Sequence, residues 1–325
     1  MNYCLLRSNN IRRIIGVVCL ICLAAAMSGS AGAAAKRTYF TGTEQVTGIV
    51  DPGKWITDGS KIYFSNLTQS TIESTTDPRV SGQGTISAND IMDSATGTGP
   101  VWGTIQIKNS NGEWNGYWQG TRSLSGQNMI SSVMVTAVGS GAYDGLVGRW
   151  NSSGVNVDQT GMLSMSGFIV EAKGGPGDLP FQFSATRTER FTLHPGLVIT
   201  PPAQPPYSQG ITATWEILQE VAEASHLGHS ENTGMGLFDP LAGTFSGSGC
   251  LTAANGDLVY WVVYGQAGPV EGQLAAEIHF AGGTGRFDAV VGEADATITQ
   301  QLELKPDQLV YLIHYRYSGA GTIRY

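Results

Sequence analysis

The residues with the most chemical potential gather in the C-terminal half of the chain. All five histidines, His194, His226, His229, His279 and His314, lie there. His226-x-x-His229-x-Glu231 has the residue types of a metal site. On a strand, however, residues three apart face opposite sides, and no matching third ligand is evident. The triplet reads as a strand-end or turn cluster, and neither a metal nor a cofactor is expected. His279 in "AEIHF" and His314 in "YLIHY" fall mid-strand, with Glu277 on the face of His279 and Arg316 on the face of His314. Turned into a barrel, these four would be polar handles in an apolar small-molecule site. Turned outward, they are surface residues, and the alternating Leu274, Ala276, Ile278, Phe280 and Leu309, Tyr311, Ile313, Tyr315 make the core. That apolar alternation favours the outward arrangement. Glu277, His279, His314, Arg316 and, from the core side, Tyr315 are the candidate ligand-binding residues.

Other constellations are weaker. Glu293 and Asp295 alternate with Ala294 and Ala296, which suits acid-base chemistry but reads more simply as a solvated strand face. Their counterparts in the first half of the chain are Arg149 and Asn151. "GTFSGSG" (Gly243 to Gly249) is not a nucleophile elbow: its composition is that of a strand and turn. No catalytic residue is assigned. Trp102, Trp114, Tyr117 and Trp118 crowd one hairpin, with Trp114, Gly116 and Trp118 on one face. Such rings either stack on sugars or fill a core, and glycan binding would first require them to be exposed.

What holds these residues is a chain with two distinct parts. Arg7, Arg12 and Arg13, an apolar run and Ala33-Ala34-Ala35 form a signal-peptide pattern with cleavage near Ala35. The run is shorter than the ~20 residues of a spanning helix. Neither Cys19 nor Cys22 follows the small residue a lipid-anchor site needs. A secreted or periplasmic protein without a membrane anchor is expected. Removing residues 1–35 leaves Cys250 as the sole cysteine, so no intrachain disulfide framework is expected. It also removes three arginines, taking the net charge from −8 to −11. That balance, without a basic patch, excludes nucleic acid as a partner.

The remainder repeats. Gly139, Gly141, Tyr143 and Gly148 match Gly283, Gly285, Phe287 and Gly292 at an offset of 144, as Asn111-Gly112 matches Asn255-Gly256. "TEQVT" (Thr43 to Thr47) matches "TERFT" (Thr188 to Thr192) at 145. Two copies make a tandem duplication, 36–178 and 179–325, with the boundary in "GGPGD" (Gly174 to Asp178). "PPAQPP" (Pro201 to Pro206) then falls inside the second copy and is not a linker. "TWEILQEVAEASH" (Thr214 to His226) has helix formers, but Ala213, Trp215 and Ile217 alternate with polar residues, the period of a strand. Short alternating runs recur between glycines, and the Asn-Gly pairs suggest type I′ hairpins. The expected fold is all-β, two tandem antiparallel barrels of about eight strands each, since closure removes exposed edges. Within it, Gly283 and Gly285 turn the chain between strands, and Phe287 or Tyr143 plugs a barrel end. "LVYWVVYG" is apolar on both faces and should pack against the sister barrel or a second chain, as in a homo-oligomer.

At these residues the chain resembles a known superfamily. "FAGGTGRFDAVVGEADATI" (Phe280 to Ile298) is similar to the Gly-Gly-Thr-Gly-x-Phe segment of dirigent proteins and the allene oxide cyclase barrel group, and to secreted bacterial proteins of that barrel type. The resemblance covers the second copy well and the first only through "GSGAYDG" and "GTGPVWG". It implies an eight-stranded barrel with an apolar cavity, which in characterised members holds a lipophilic substrate and steers its cyclisation or coupling. The families' charged pocket residues lie outside the shared segment. Three readings follow: binding of a lipophilic small molecule in one barrel, more readily the second; a cyclase-like auxiliary, which needs a charged residue in the cavity; or a structural or surface-interaction protein with filled barrels.

Overall fold

Buried and exposed residues alternate along almost every described segment, and the computed structural model resolves this alternation into eighteen strands without an α-helix among the described residues. Those residues are 36–125, 128–157, 160–171, 178–194, 197–198, 212–239, 242–268, 273–299 and 309–325. The expected leader, most of the "GGPGD" boundary and the Pro201 to Pro206 segment lie outside them.

In the first lobe the strands are β1 (Arg37–Asp51), β2 (Lys54–Asp58), β3 (Lys61–Thr75), β4 (Gly82–Asp93), β5 (Thr98–Lys108), β6 (Gly112–Ser125), β7 (Asn128–Gly141), β8 (Leu146–Val157) and β9 (Thr160–Glu171). In the second they are β10 (Leu179–His194), β11 (Leu197–Val198), β12 (Thr212–Ala224), β13 (Gly228–Asp239), β14 (Thr244–Thr252), β15 (Leu258–Ala267), β16 (Gln273–Gly283), β17 (Val291–Thr299) and β18 (Val310–Arg324). All pairings are antiparallel. The first lobe forms a ring, because the long β1 pairs with β9 through its first half and with β3 through its second. The second is a closed barrel of eight strands, with β18 returning to β10. β2 and β11 extend the first sheet beyond the ring, so the backbone of the second copy adds a short strand to the first lobe.

The duplicated glycine motif does the same work twice. After Gly283 the chain makes a single 3-10 turn over Gly285–Phe287, and Phe287 is fully buried at the barrel end. A Cβ on Gly283 would stand 2.7 Å from the Phe287 carbonyl, and one on Gly139 would stand 2.3 Å from the Tyr143 carbonyl. Gly285 adopts φ +57°, where a side chain would meet Asp257. The Asn-Gly hairpins form, but not as type I′ turns, since neither asparagine has positive φ. Asn109 organises the first, its Oδ1 accepting from the amides of Asn111 and Gly112. The second closes over Ala253 to Asp257 with Gly256 at φ +86°. Thr214 to Ala224 is strand, as the alternation indicated.

Each ring has its own core. Trp114, Trp118 and Trp150 fill the first together with Phe40 and Tyr143. Trp102 and Tyr117, from the same hairpin, face the other way. Trp102 joins Tyr63, Leu237, Val262 and Ala281 in an apolar cluster between the lobes, and Tyr117 stacks on His279 with ring centroids 4.0 Å apart. The second apolar face of "LVYWVVYG" is therefore taken by the sister barrel. Arg149 pairs with Asp288 and donates to the Gly283 carbonyl at 2.9 Å, while Arg37 reaches the same Asp288. Two expectations are corrected. Leu309, just before the β18 pairing begins, is 49% exposed. Cys250 is disulfide-bonded, against the expectation of no intrachain disulfide.

Candidate functional site

The two lumens differ. The first retains a space of about 30 Å³, the second a cavity of about 970 Å³. By the repeat register, the contacting pair Phe40 and Trp150 of the first barrel corresponds to Ala185 and Ala294 of the second. Large rings are present in the second barrel too, but they lie against its wall. A Cβ at Gly247 would come within 2.1 Å of the Trp215 ring, and one at Gly249 within 2.4 Å of Trp261. Glycines of β13 and β14 thus seat both indoles flat, 6.4 Å apart and nearly parallel. Leu227, Phe287 and Ile323 close one end. Half-buried Phe238, Phe245 and Leu274 rim the other.

A polar cluster crosses this apolar lumen. Arg187 pairs with Glu220 through Nε and donates from Nη1 to the Tyr315 hydroxyl (3.2 Å) and from Nη2 to the Tyr317 hydroxyl (2.5 Å). Tyr315 donates to Glu189 Oε2 at 2.6 Å, and Tyr317 donates to Glu220 Oε1 at 2.9 Å. Asn232 also donates to Glu220 Oε1 and accepts from the Trp261 indole. Burial raises the pKa of both tyrosines, keeping the hydroxyls protonated as donors. Burial likewise lifts Glu189 above its ordinary range, although Arg187 opposes this. Burial disfavours the Arg187 charge, but the surrounding Tyr317, Glu220, Tyr315 and Glu189 outweigh it and hold the guanidinium ionised.

Two local features place these charges inside. Along β10, Phe181, Phe183, Ala185, Arg187, Glu189 and Phe191 occupy one register, so Arg187 and Glu189 ride on the apolar face. On β12 the inward residues are Ala213, Trp215 and Ile217, then Glu220, Ala222 and Ala224. The change of parity comes from a bulge where Thr188 pairs Gln219 but Glu189 pairs Ile217. Such a bulge inserts one residue and re-aims those beyond it.

Of the five residues proposed from sequence, Tyr315 lines the cavity. Glu277, His314 and Arg316 are exposed on the outer wall, where His314 meets Thr188 Oγ1 at 2.9 Å. His279 also points out of the barrel but is buried between the lobes, and burial lowers its pKa. Sequence reasoning missed Arg187, Glu189, Glu220 and Tyr317. The alternation in "FQFSATRTERF" carried the signal for the first two, whereas the bulge hid the third. His226 sits in a turn at φ +69° and bonds the Pro180 carbonyl, and His229 pairs with Glu223. Among the described residues no three metal-ligating side chains converge. Glu293 and Asp295 are exposed. Trp102, Trp114 and Trp118 are buried, so the exposed rings that sugar stacking requires are not found at this hairpin.

No protein-family model and no curated protein matches the chain. Solved structures similar to it include intact Ap-TbpB (N and C lobes), at 8% identity and TM-score 0.15, covering 89% of this chain and 77% of that one. A mutant of the vaccine antigen Transferrin Binding Protein B from Haemophilus parasuis Hp5 gives 8% identity and TM-score 0.11 over the same shares. At these TM-scores the likeness bears on neither fold nor function. The architecture itself defines a tandem antiparallel β-barrel protein with one packed and one hollow lobe. No helix among the described residues is long and apolar enough to cross a membrane.

Proposed function

We propose that the chain is a secreted or periplasmic protein that binds a lipophilic small molecule in the cavity of its second barrel. One observation carries the reading: of two barrels built by one duplication, the first is packed with tryptophans and the second encloses about 970 Å³ behind apolar walls. Small-molecule sites of this kind are concave, mostly apolar and carry a few convergent polar groups. The resemblance of Phe280 to Ile298 to the allene oxide cyclase and dirigent barrels supports the same reading by analogy of fold.

The neutral apolar dye N-phenyl-1-naphthylamine tests the cavity. Saturable binding at one dye per chain is expected, weakened about tenfold by Ala276→Phe or Ala296→Phe, each of which places a ring in the lumen. Dye binding unaffected by both substitutions would place the ligand elsewhere. N-terminal sequencing of exported protein checks the location, with Lys36 as the expected first residue.

A cyclase-like auxiliary is the second reading, favoured by the charged residues inside the lumen, Arg187, Glu189 and Glu220. Mass spectrometry of a recovered ligand, before and after incubation with the protein, separates the two. An unchanged molecule supports binding alone.

A further inference from the structure

The charged groups lining the second lumen do not balance: Arg187 stands against both Glu189 and Glu220. Each guanidinium nitrogen already has an acceptor, in Glu220, Tyr315 or Tyr317. Both oxygens of Glu220 are taken, Oε2 by Arg187 and Oε1 by Tyr317 and Asn232. Glu189 is different. Its Oε2 accepts the Tyr315 hydroxyl at 2.6 Å and lies 3.6 Å from Arg187 Nη1. Its Oε1 has no hydrogen-bond partner among the described residues, and the residue, 5% exposed, lines the cavity.

We infer that the lumen takes an amphiphile with a protonated amine as its head, which donates an N–H to Glu189 Oε1 while the tail lies along the aromatic wall. The inference rests on the cavity reading above and specifies its ligand. A carboxylate oxygen that opens onto the lumen without a protein donor is free to take one from a ligand, and a charged donor makes the strongest bond. An ammonium also offsets the excess negative charge and is attracted to aromatic faces, which Trp215, Trp261 and Tyr315 supply here. An anionic head would face two carboxylates and a single guanidinium that is already paired with Glu220. A neutral hydroxyl would satisfy the hydrogen bond but leave the charge unbalanced. Where the free Glu189 carries a proton, the arriving ammonium displaces it to solvent and the two remain as an ion pair.

The test compares one tail with three heads: dodecylamine, dodecanol and dodecanoate, each titrated below its micelle concentration into the full exported chain by calorimetry near pH 7. The amine is expected to bind about tenfold tighter than the alcohol, and the carboxylate more weakly than either. Glu189→Gln should remove the amine's advantage over the alcohol. The ranking in the unsubstituted chain can be read whether or not the variant folds. Equal or tighter binding of the alcohol or the carboxylate, or an amine preference that survives in folded Glu189→Gln, overturns the inference and leaves the cavity reading standing. No uptake of any of the three, together with no uptake of the neutral dye, overturns the cavity reading itself.

Discussion

Glu44 and Glu73 stand directly opposite each other on β1 and β3, both buried in the first lobe. Among the described residues no basic side chain pairs with either: the Ser152 hydroxyl meets Glu44 Oε2 at 3.4 Å, and Glu73 Oε1 accepts from Thr71 at 2.6 Å. Glu73 Oε2 is buried without a partner among the described residues. Glu44 occupies in the first barrel the repeat position that Glu189 holds in the second.

This pair makes the first lobe sensitive to alkali. Burial, eased slightly by Ser152, raises the Glu44 carboxyl from 4.5 to about 7. Burial, opposed by Thr71 and reinforced by the Glu44 charge, raises Glu73 from 4.5 to about 8. The folded chain therefore holds protons that the unfolded chain has released. The associated stability is complete below the unfolded value near 4.5 and is lost as pH rises through about 7 and about 8. Thermal melts from pH 5 to pH 9 should show a falling midpoint for the first lobe, and Glu73→Gln should flatten the fall. A midpoint independent of pH over that range would contradict the assignment.

Arg149 links the lobes. It holds Asp288 and the Gly283 carbonyl of the second lobe from β8 of the first. Arg149→Ala should cost about 2 kcal/mol, the scale of hydrogen bonds to a charged group. Calorimetry should then resolve two transitions where the parent shows closer coupling. An unchanged single transition would assign the docking to the apolar cluster around Trp102 and Val262.

Phe287 is the plug of the hollow barrel. Its complete burial among Phe181, Leu227 and Ile323 predicts a loss of about 3–5 kcal/mol for Phe287→Ala. Unfolding in denaturant, followed by tryptophan fluorescence, measures it. A loss below about 1 kcal/mol would mean that the barrel end collapses onto the space.

Gly247 keeps Trp215 on the wall. Gly247→Ala would set its methyl against the ring at 2.1 Å without movement. The indole must then tilt into the lumen, and uptake of the naphthylamine dye should fall. Unaltered uptake, with the fold intact by circular dichroism, would show that the ring moves elsewhere.

Much of the fold was legible because strand periodicity is local. Alternation settled Thr214 to Ala224 as strand against its helix-forming composition, and it placed Tyr311, Ile313 and Tyr315 inside. The duplicated glycines located both plugs, since a Cβ at Gly139 or Gly283 collides with the turn that carries Tyr143 or Phe287. The site was less legible. Histidines drew attention as the chemically versatile type, but the alternation that buries their neighbours turns His314 outward and hands His279 to the interface. Arg187 and Glu189 lay in plain register with Phe181, Phe183 and Phe191, yet the segment was informative first as a repeat marker. Glu220 had no readable signal, because one bulged residue reverses the inward face of β12.

Residue pattern by itself determined that the chain is all-β, that it is built twice, and where each barrel is plugged. These properties follow from side-chain alternation and from backbone conformations that only glycine adopts readily. Tertiary structure decided which barrel is hollow, which face docks against its sister and which charges share the lumen. Those outcomes depend on what meets across a closed sheet: Trp215 against Gly247, Tyr117 against His279, and Arg187 between Glu220 and two tyrosines on β18.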